Sequence, residues 1–474
     1  MSFLSADFIL FLPAAVLLYY LVPRRLKPVC LLAASYLFYA CVSVRFVPWL
    51  LAYTVLTFFA GRLIAGKRDE KGADLLLGIC LALLFTILLS FKYLPVDRFS
   101  LVMPAGLSFF TFEAAGYLID VRRGRAPEDD PVRLALFLSF FPQLLSGPIA
   151  RSSTFLPQLD KPAVFSADNL SEGAFLMLWG YFMKRVAADR AALFVNQVYG
   201  NWQGCGGLVL AGATALYALQ VYCDFYGYST MALGAARLFG IRLQDNFTAP
   251  FLSRSIGEFW RRWHNSLTGW FRDYLYIPLG GNRKGRVRKY LNIMIVFLVS
   301  GMWHGNTLNY AVWGALNGFF IVLSDITKPV RSFLGGRLVR DPDCFSCRLV
   351  SSLVVFAEFC FTLVFFRMES FGEAIRLIRQ MLTIPGIRSF QESVFFSVGE
   401  EMPNAGDLRL LLISAAVILF ADWMKYRGIS VVSWVRKQEF WFRDLVLICG
   451  ALLVLFLGVW GESFSANSFV YVHF

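Results

Sequence analysis

Residues 74–93 read DLLLGICLALLFTILLSFKY, with no charged side chain between Asp74 and Lys92. A bilayer core about 30 Å thick needs roughly 20 apolar residues per helical crossing, and this stretch supplies them. Residues 206–222 and 445–460 are of the same kind. Less uniform apolar runs fall at 8–22, 28–42, 46–64, 101–119, 132–145, 173–183, 290–303, 308–326, 349–366 and 408–423. Together they predict an all-α polytopic integral membrane protein of roughly a dozen helices, some too short to cross alone. The alternating segments of about 10 residues that a transmembrane β-barrel requires are not found.

Composition agrees. The chain has 474 residues, 57% hydrophobic and 16% charged, against about 25% charged in soluble domains. The N-terminus has no basic region before the first apolar run and carries Asp7 instead, so the first helix is expected to stay in place. Basic residues gather after alternate helices: Arg24, Arg25 and Lys27, then Lys67, Arg68 and Lys71, then Arg122, Arg123 and Arg125. The positive-inside rule makes these loops cytoplasmic and the N-terminus external.

The net charge of +13 sits in short loops beside apolar helices, where topology and anionic headgroups account for it; no nucleic-acid partner is expected. The nine cysteines lie mostly in apolar runs, and Cys344 and Cys347 form a single C-x-x-C, too few ligands for structural zinc. No metal constellation is visible, and GGNRKG lacks the spacing of a phosphate-binding loop. Without an internal repeat, the chain reads as one domain over 1–474, interrupted by polar loops at 161–169, 328–348, 383–407 and 425–436. The third holds Pro385, Gly386, Gly399, Pro403 and Gly406, which break regular structure.

The unusual part is a core around 220–317. Residues 259–285 read FWRRWHNSLTGWFRDYLYIPLGGNRKG. A spanning helix does not tolerate Arg261, Arg262, Arg272 and Asp273 facing lipid, and a solvated loop does not need so many rings. A re-entrant or buried interfacial segment satisfies both.

Among the three histidines, His304 follows the apolar run that begins just past Arg283, Lys284, Arg286, Arg288 and Lys289. That places it about 20 Å along the helix from Tyr290. An ionisable group at such depth is a functional candidate, and a neutral imidazole is suited to accept a proton from a hydroxyl. A packing hydrogen bond is the alternative, and Gly301 and Gly305 serve either reading by letting a substrate or a helix come close. His264 has an interfacial setting in which a structural role leads. Arg254, Arg261, Arg262 and Arg272, with Asn282, suit an anionic donor on the cytoplasmic side and equally suit headgroup anchoring. Glu113, Asp120, Asp224 and Asp245 are the acids available to pair with these arginines, Asp224 being the one expected buried and structural.

The long central motif, together with MPAGLSFFTFEAAGYLID (103–120), FFPQLLSGPIAR (140–151), YCDFYGYSTMALGAARLFGI (222–241), SGMWHGN (300–306), VFFR (364–367) and SFVYVHF (468–474), resembles the membrane-bound O-acyltransferase family and within it the alginate O-acetyltransferase branch. The resemblance covers nearly the whole chain. It implies a helical ring around a central tunnel, through which a cytoplasmic thioester donor, acetyl-CoA or a carrier-bound acyl group, meets an extracytoplasmic polysaccharide hydroxyl. It implies an esterase-like extracytoplasmic partner protein and no bound cofactor. The family's essential histidine matches His304 and its second histidine His264. Trp303 and Asn306 are then candidates to orient the ring or the acyl carbonyl. His473 stands where this branch often has glutamine, and no function attaches to it. D-alanyl transfer to teichoic acid and peptidoglycan O-acetylation remain open within the enzyme class, and a transporter or export component outside it.

Overall fold

The computed structural model describes residues 1–67, 69–94, 102–161, 163–331, 333, 341, 343–383 and 404–460. The breakers Pro385, Gly386, Gly399 and Pro403, the motif 468–474 and His473 lie outside these described residues. Among the described residues every regular element is helical. Among the described residues six helices are long and apolar enough to cross a membrane. Leu445, Ile448, Leu452, Leu455 and Phe456 stand exposed along one of them, a surface that is stable against lipid chains and not against water.

The chain divides into two compact units. The first holds Met1–Gly180 and Tyr228–Asp245. Its helices are α1 (Ala6–Leu21), α2 (Lys27–Val42), α3 (Val47–Gly66), α4 (Glu70–Tyr93), α5 (Leu107–Arg122), α6 (Pro131–Ser139) and α7 (Ala167–Tyr181). Phe8, Phe38 and Phe141 pack ring on ring at 5.4–6.4 Å, edge-on and tilted arrangements that suit the ring quadrupole. The apolar run at 132–145, read as one helix, is divided: Phe140 leaves the helical conformation (φ −55°, ψ 110°) between α6 and a separate turn at Phe141–Leu144. Pro142, which has no N–H to donate, stands at the start of that turn. Buried Glu113 on α5 accepts the Ala150 N–H at 3.0 Å.

The second unit holds Tyr181–Gly227 and Asn246–Trp460. It contains α8 (Asp189–Gly200), the first part of α9 (Gly207–Leu238), α10 (Ile256–Arg262), α11 (Asn265–Phe271), α12 (Gly285–His304), α13 (Leu308–Ile326), α14 (Phe345–Arg367), α15 (Phe371–Thr383), α16 (Ala405–Tyr426), α17 (Val431–Arg436) and α18 (Phe440–Leu457). Ahead of α8, residues Phe182–Ala188 form a π-helix, a widened turn of the sort often found where side chains must be re-aimed. It buries Lys184, whose ammonium lies 2.6 Å from Asp224 and 2.8 Å from Asp189. Arg185 completes the cluster on Asp189 at 3.1 Å.

The antiparallel pair α12 and α13 is the scaffold of the site. At one end Lys289 pairs with Asp325 at 2.8 Å, and the Tyr290 hydroxyl donates to the same carboxylate at 3.0 Å. At the other end Gly301 faces Gly314, and a Cβ at Gly301 would collide with the Tyr310 carbonyl. The two backbones therefore approach as only glycine allows.

Candidate active site

His304 is the last residue of α12, and Gly305 behind it is extended. The helix starts earlier than the apolar run, at Gly285, so Arg286, Arg288 and Lys289 lie in its first turns. Cations there oppose the helix dipole. Fixed contacts hold this end of the helix: Arg288 donates to the Leu279 carbonyl at 3.3 Å, and buried Asn292 to the Gly281 carbonyl at 2.9 Å. The glycine-rich turn before α12 is thereby tied to that helix. A 20-residue helix is about 30 Å long, so His304 stands one bilayer thickness from the basic end.

The His304 side chain is 3% exposed. Its ring is walled by Trp303 at 4.7 Å, Trp313 at 5.0 Å and Phe366 at 5.3 Å between centroids. Trp313 comes from α13 and Phe366 from the end of α14, so three helices converge on the imidazole. Asn306, two residues on, is exposed.

His264 is built differently. It is 2% exposed and adopts φ 47°, ψ 55°, the left-handed region, as the residue that opens α11. Such a backbone is strained for a residue with a Cβ by roughly 1–2 kcal/mol and is held by its surroundings. Asn246 is the holder. Its Oδ1 accepts the Ser266 hydroxyl at 2.6 Å and the Ser266 N–H at 3.3 Å, while its carbonyl accepts the Asn265 N–H at 2.8 Å. The Ser266 hydroxyl also lies 3.5 Å from His264 Nδ1, and Phe225 packs edge-on to the imidazole at 4.6 Å.

A relay of rings joins the two histidine segments. Trp263 stacks on Phe259 at 5.4 Å, Phe259 meets Trp260 at 5.4 Å, and Trp260 meets Trp313 at 5.7 Å. Trp313 in turn touches His304. The aromatic density that a lipid-facing helix had no use for is this packing.

The cations are placed around this core. Arg262 is half-buried, pairs with Glu258 at 2.8 Å and covers the Tyr426 ring at 4.8 Å. Arg261, Arg272 and Asn282 are exposed. Arg272 pairs with Asp273 at 2.8 Å, and Arg254 with Asp343 at 2.6 Å. The pairing expected with Glu113, Asp120, Asp224 and Asp245 is corrected at Asp224, which takes Lys184. Arg262 and Arg272 draw on acids within four residues, and Arg254 on the Asp343 turn. Asn246, Trp313 and Phe366 were missed by the sequence reading. Nothing in their residue types signals a role, although VFFR, which contains Phe366, stood among the quoted motifs.

An α-helical, multi-pass membrane protein with a buried, aromatic-walled histidine is the class this fold and site define. The model of the membrane-bound O-acyltransferase family matches residues 128–340. A probable alginate O-acetylase of Pseudomonas fluorescens is 38% identical over 66% of this chain and 64% of its own length. The peptidoglycan O-acetyltransferase of Helicobacter pylori is 30% identical over 80% of this chain and 79% of its own. A teichoic acid D-alanyltransferase of Streptococcus thermophilus is 32% identical over 48% and 58%. The chain thus spans slightly under two thirds of the first of these relatives. It belongs to the membrane-bound O-acyltransferase family.

Proposed function

We propose that this chain is an O-acyltransferase of the cell membrane, transferring acetyl from a cytoplasmic thioester to a hydroxyl of an extracytoplasmic polysaccharide, alginate-like or another exopolysaccharide. The observation that carries this reading is the position of His304: buried, ring-walled, and at the end of α12 opposite its basic first turns. With those turns cytoplasmic, the N-terminus is external and His304 faces the outer half of the membrane. Substrates on opposite sides then meet there without a polar polymer entering hydrocarbon, whose penalty is large.

His304 acts as general base. It takes the proton of the acceptor hydroxyl as that oxygen attacks the acetyl carbonyl, and the thioester C–S bond breaks. The proton passes to the leaving thiolate, so ester and free thiol are formed with the histidine unchanged. A base of this kind contributes about 10²- to 10⁴-fold in rate. Trp303 and Trp313 exclude water from the ring, and the His264 turn positions the segment beside it. The turn Gly280–Lys284, tied to α12, carries Asn282 and, with Arg261, Arg262 and Arg272, forms the donor face for acetyl-CoA or a carrier-bound acyl thioester. The chain works as one domain with its core around 220–317, alongside an extracytoplasmic esterase-like partner. No cofactor is invoked.

Peptidoglycan O-acetylation is the second reading, favoured because the Helicobacter pylori relative aligns over 80% of this chain. The test is the acyl ester content of purified surface polymers, by NMR and mass spectrometry, from cells with wild type, His304→Ala or His264→Ala at matched membrane abundance. Loss of acetate esters in His304→Ala supports the reading, and the polymer that loses them names the acceptor. Loss of D-alanine alone would move the substrate to teichoic acid. Unchanged esters would make His304 structural.

A further inference from the structure

We propose that Arg367 is the acceptor-recognition residue, binding the carboxylates of an acidic, uronate-bearing polysaccharide beside His304; this rests on the acyltransferase reading above. The placement comes first. Phe366, which packs on His304 at 5.3 Å, is followed directly by Arg367 at the end of α14. The α12 end that carries His304 is the end away from Lys289 and Asp325. Arg367 therefore stands on the His304 side of the helix bundle in this unit, where an external polymer arrives.

Its surroundings hold the guanidinium in place rather than neutralise it. The Arg367 guanidinium lies over the rings of Tyr199 at 5.8 Å and Tyr217 at 5.7 Å, within the range of cation–π attraction. Its Nη2 donates to the Asn196 side-chain oxygen at 2.7 Å. The rings are fixed in turn: the Tyr199 and Thr214 hydroxyls lie 2.8 Å apart. Beyond Arg367, buried Asn309 of α13 donates to the Met368 carbonyl at 2.6 Å, holding the chain at that point. Two rings and a neutral amide leave the charge in place, and among the described residues no carboxylate is paired with it. The side chain is exposed.

A headgroup anchor at a helix end is normally a flexible side chain that reaches for the interface. Arg367 is pre-ordered on two other helices, so little freedom is lost when an anion binds. A planar guanidinium presents two parallel donors to a carboxylate. A sugar acid held there is one residue along the chain from the ring that touches the base. That arrangement suits a polymer whose hydroxyls and carboxylates alternate along its length.

The experiment measures binding of an oligo-uronate, a neutral oligosaccharide of equal length and a polyglycerol phosphate to the purified full chain in detergent, by calorimetry. Wild type is compared with Arg367→Gln and Arg367→Lys, and acceptor KM and kcat are measured in membranes. Expected are oligo-uronate binding by wild type, loss of about 10- to 100-fold in Arg367→Gln, as for a charged hydrogen bond, and partial recovery in Arg367→Lys. Neutral-sugar affinity stays level, and the change in membranes is confined to KM. Equal oligo-uronate affinity in Arg367→Gln would overturn the proposal, as would preference for polyglycerol phosphate. Loss of every ligand together marks a structural role and also overturns it. So does a change restricted to co-purifying anionic lipid, which makes Arg367 a headgroup anchor. The binding arm involves no acyl transfer, so it reads Arg367 even if ester formation proves independent of His304.

Discussion

Trp260 meets Trp313 edge-on at 5.7 Å, and through that contact the segment bearing His264 is packed against the helix pair bearing His304. Trp313 is 4% exposed and stands edge-on to the His304 imidazole at 5.0 Å. This pair of indoles, with the edge-on contact of Trp260 on Phe297 at 5.3 Å, holds the two histidine segments together.

Removing that wall will cost both stability and activity. Trp313→Ala opens a cavity beside His304, and large-to-small changes of this kind cost about 3–5 kcal/mol. The expected result is a lower melting temperature in detergent and loss of acyl esters per folded molecule. Trp313→Phe keeps part of the ring contact and is expected to lie between wild type and Ala in both measurements.

The glycine contact of α12 and α13 predicts a second outcome. A Cβ at Gly301 would strike the Tyr310 carbonyl, and one at Gly314 the Phe297 carbonyl. Backbone carbonyls cannot rotate aside, so Gly301→Ala must separate the helices, at about 1–3 kcal/mol for overpacking. Gly212, with open space around its Cβ position, is the control: Gly212→Ala is expected to be neutral or slightly stabilising through helix propensity.

The His264 turn separates backbone from imidazole. Asparagine tolerates the left-handed region better than most residues, so His264→Asn is expected to retain folding while removing the imidazole; His264→Val adds strain and is expected to lower the melting temperature as well. Asn246→Ala withdraws the acceptor of the Ser266 hydroxyl at 2.6 Å. Leaving a buried donor unsatisfied costs about 1–3 kcal/mol, and ester formation should fall although His264 itself is present.

The buried ion cluster gives a stability prediction as large as that for Trp313. Lys184 is 1% exposed and contacts both Asp189 and Asp224. Lys184→Met leaves two buried carboxylates facing each other with one cation fewer, at about 3–5 kcal/mol for breaking a buried pair. The double change Lys184→Met with Asp224→Asn removes a charge of each sign and is expected to recover part of the loss, read as folded yield and melting temperature.

The helical class and the membrane crossings were legible in the chain alone, because each rests on local chemistry. The run at 74–93 has to lie in lipid whatever its neighbours do, and the structure forms a helix there over Glu70–Tyr93. Buried Asp224 was likewise foreseeable from its apolar flanks. Its partner was not, since Lys184 reaches it through a π-helical turn. The division of 132–145 at Phe140 was also missed, because apolar side chains on both sides of Phe140 hid the break.

What the sequence by itself determined is that the chain is helical and that several of its helices are apolar enough to lie in a membrane, since hydropathy acts residue by residue. What only the tertiary structure decided is the surroundings of those residues: the Trp313 and Phe366 walls of His304, the Asn246 clasp on the strained His264 turn, and the tyrosine cradle of Arg367. Each of these joins residues from different segments, and such contacts depend on how those segments pack, which no single stretch of sequence encodes.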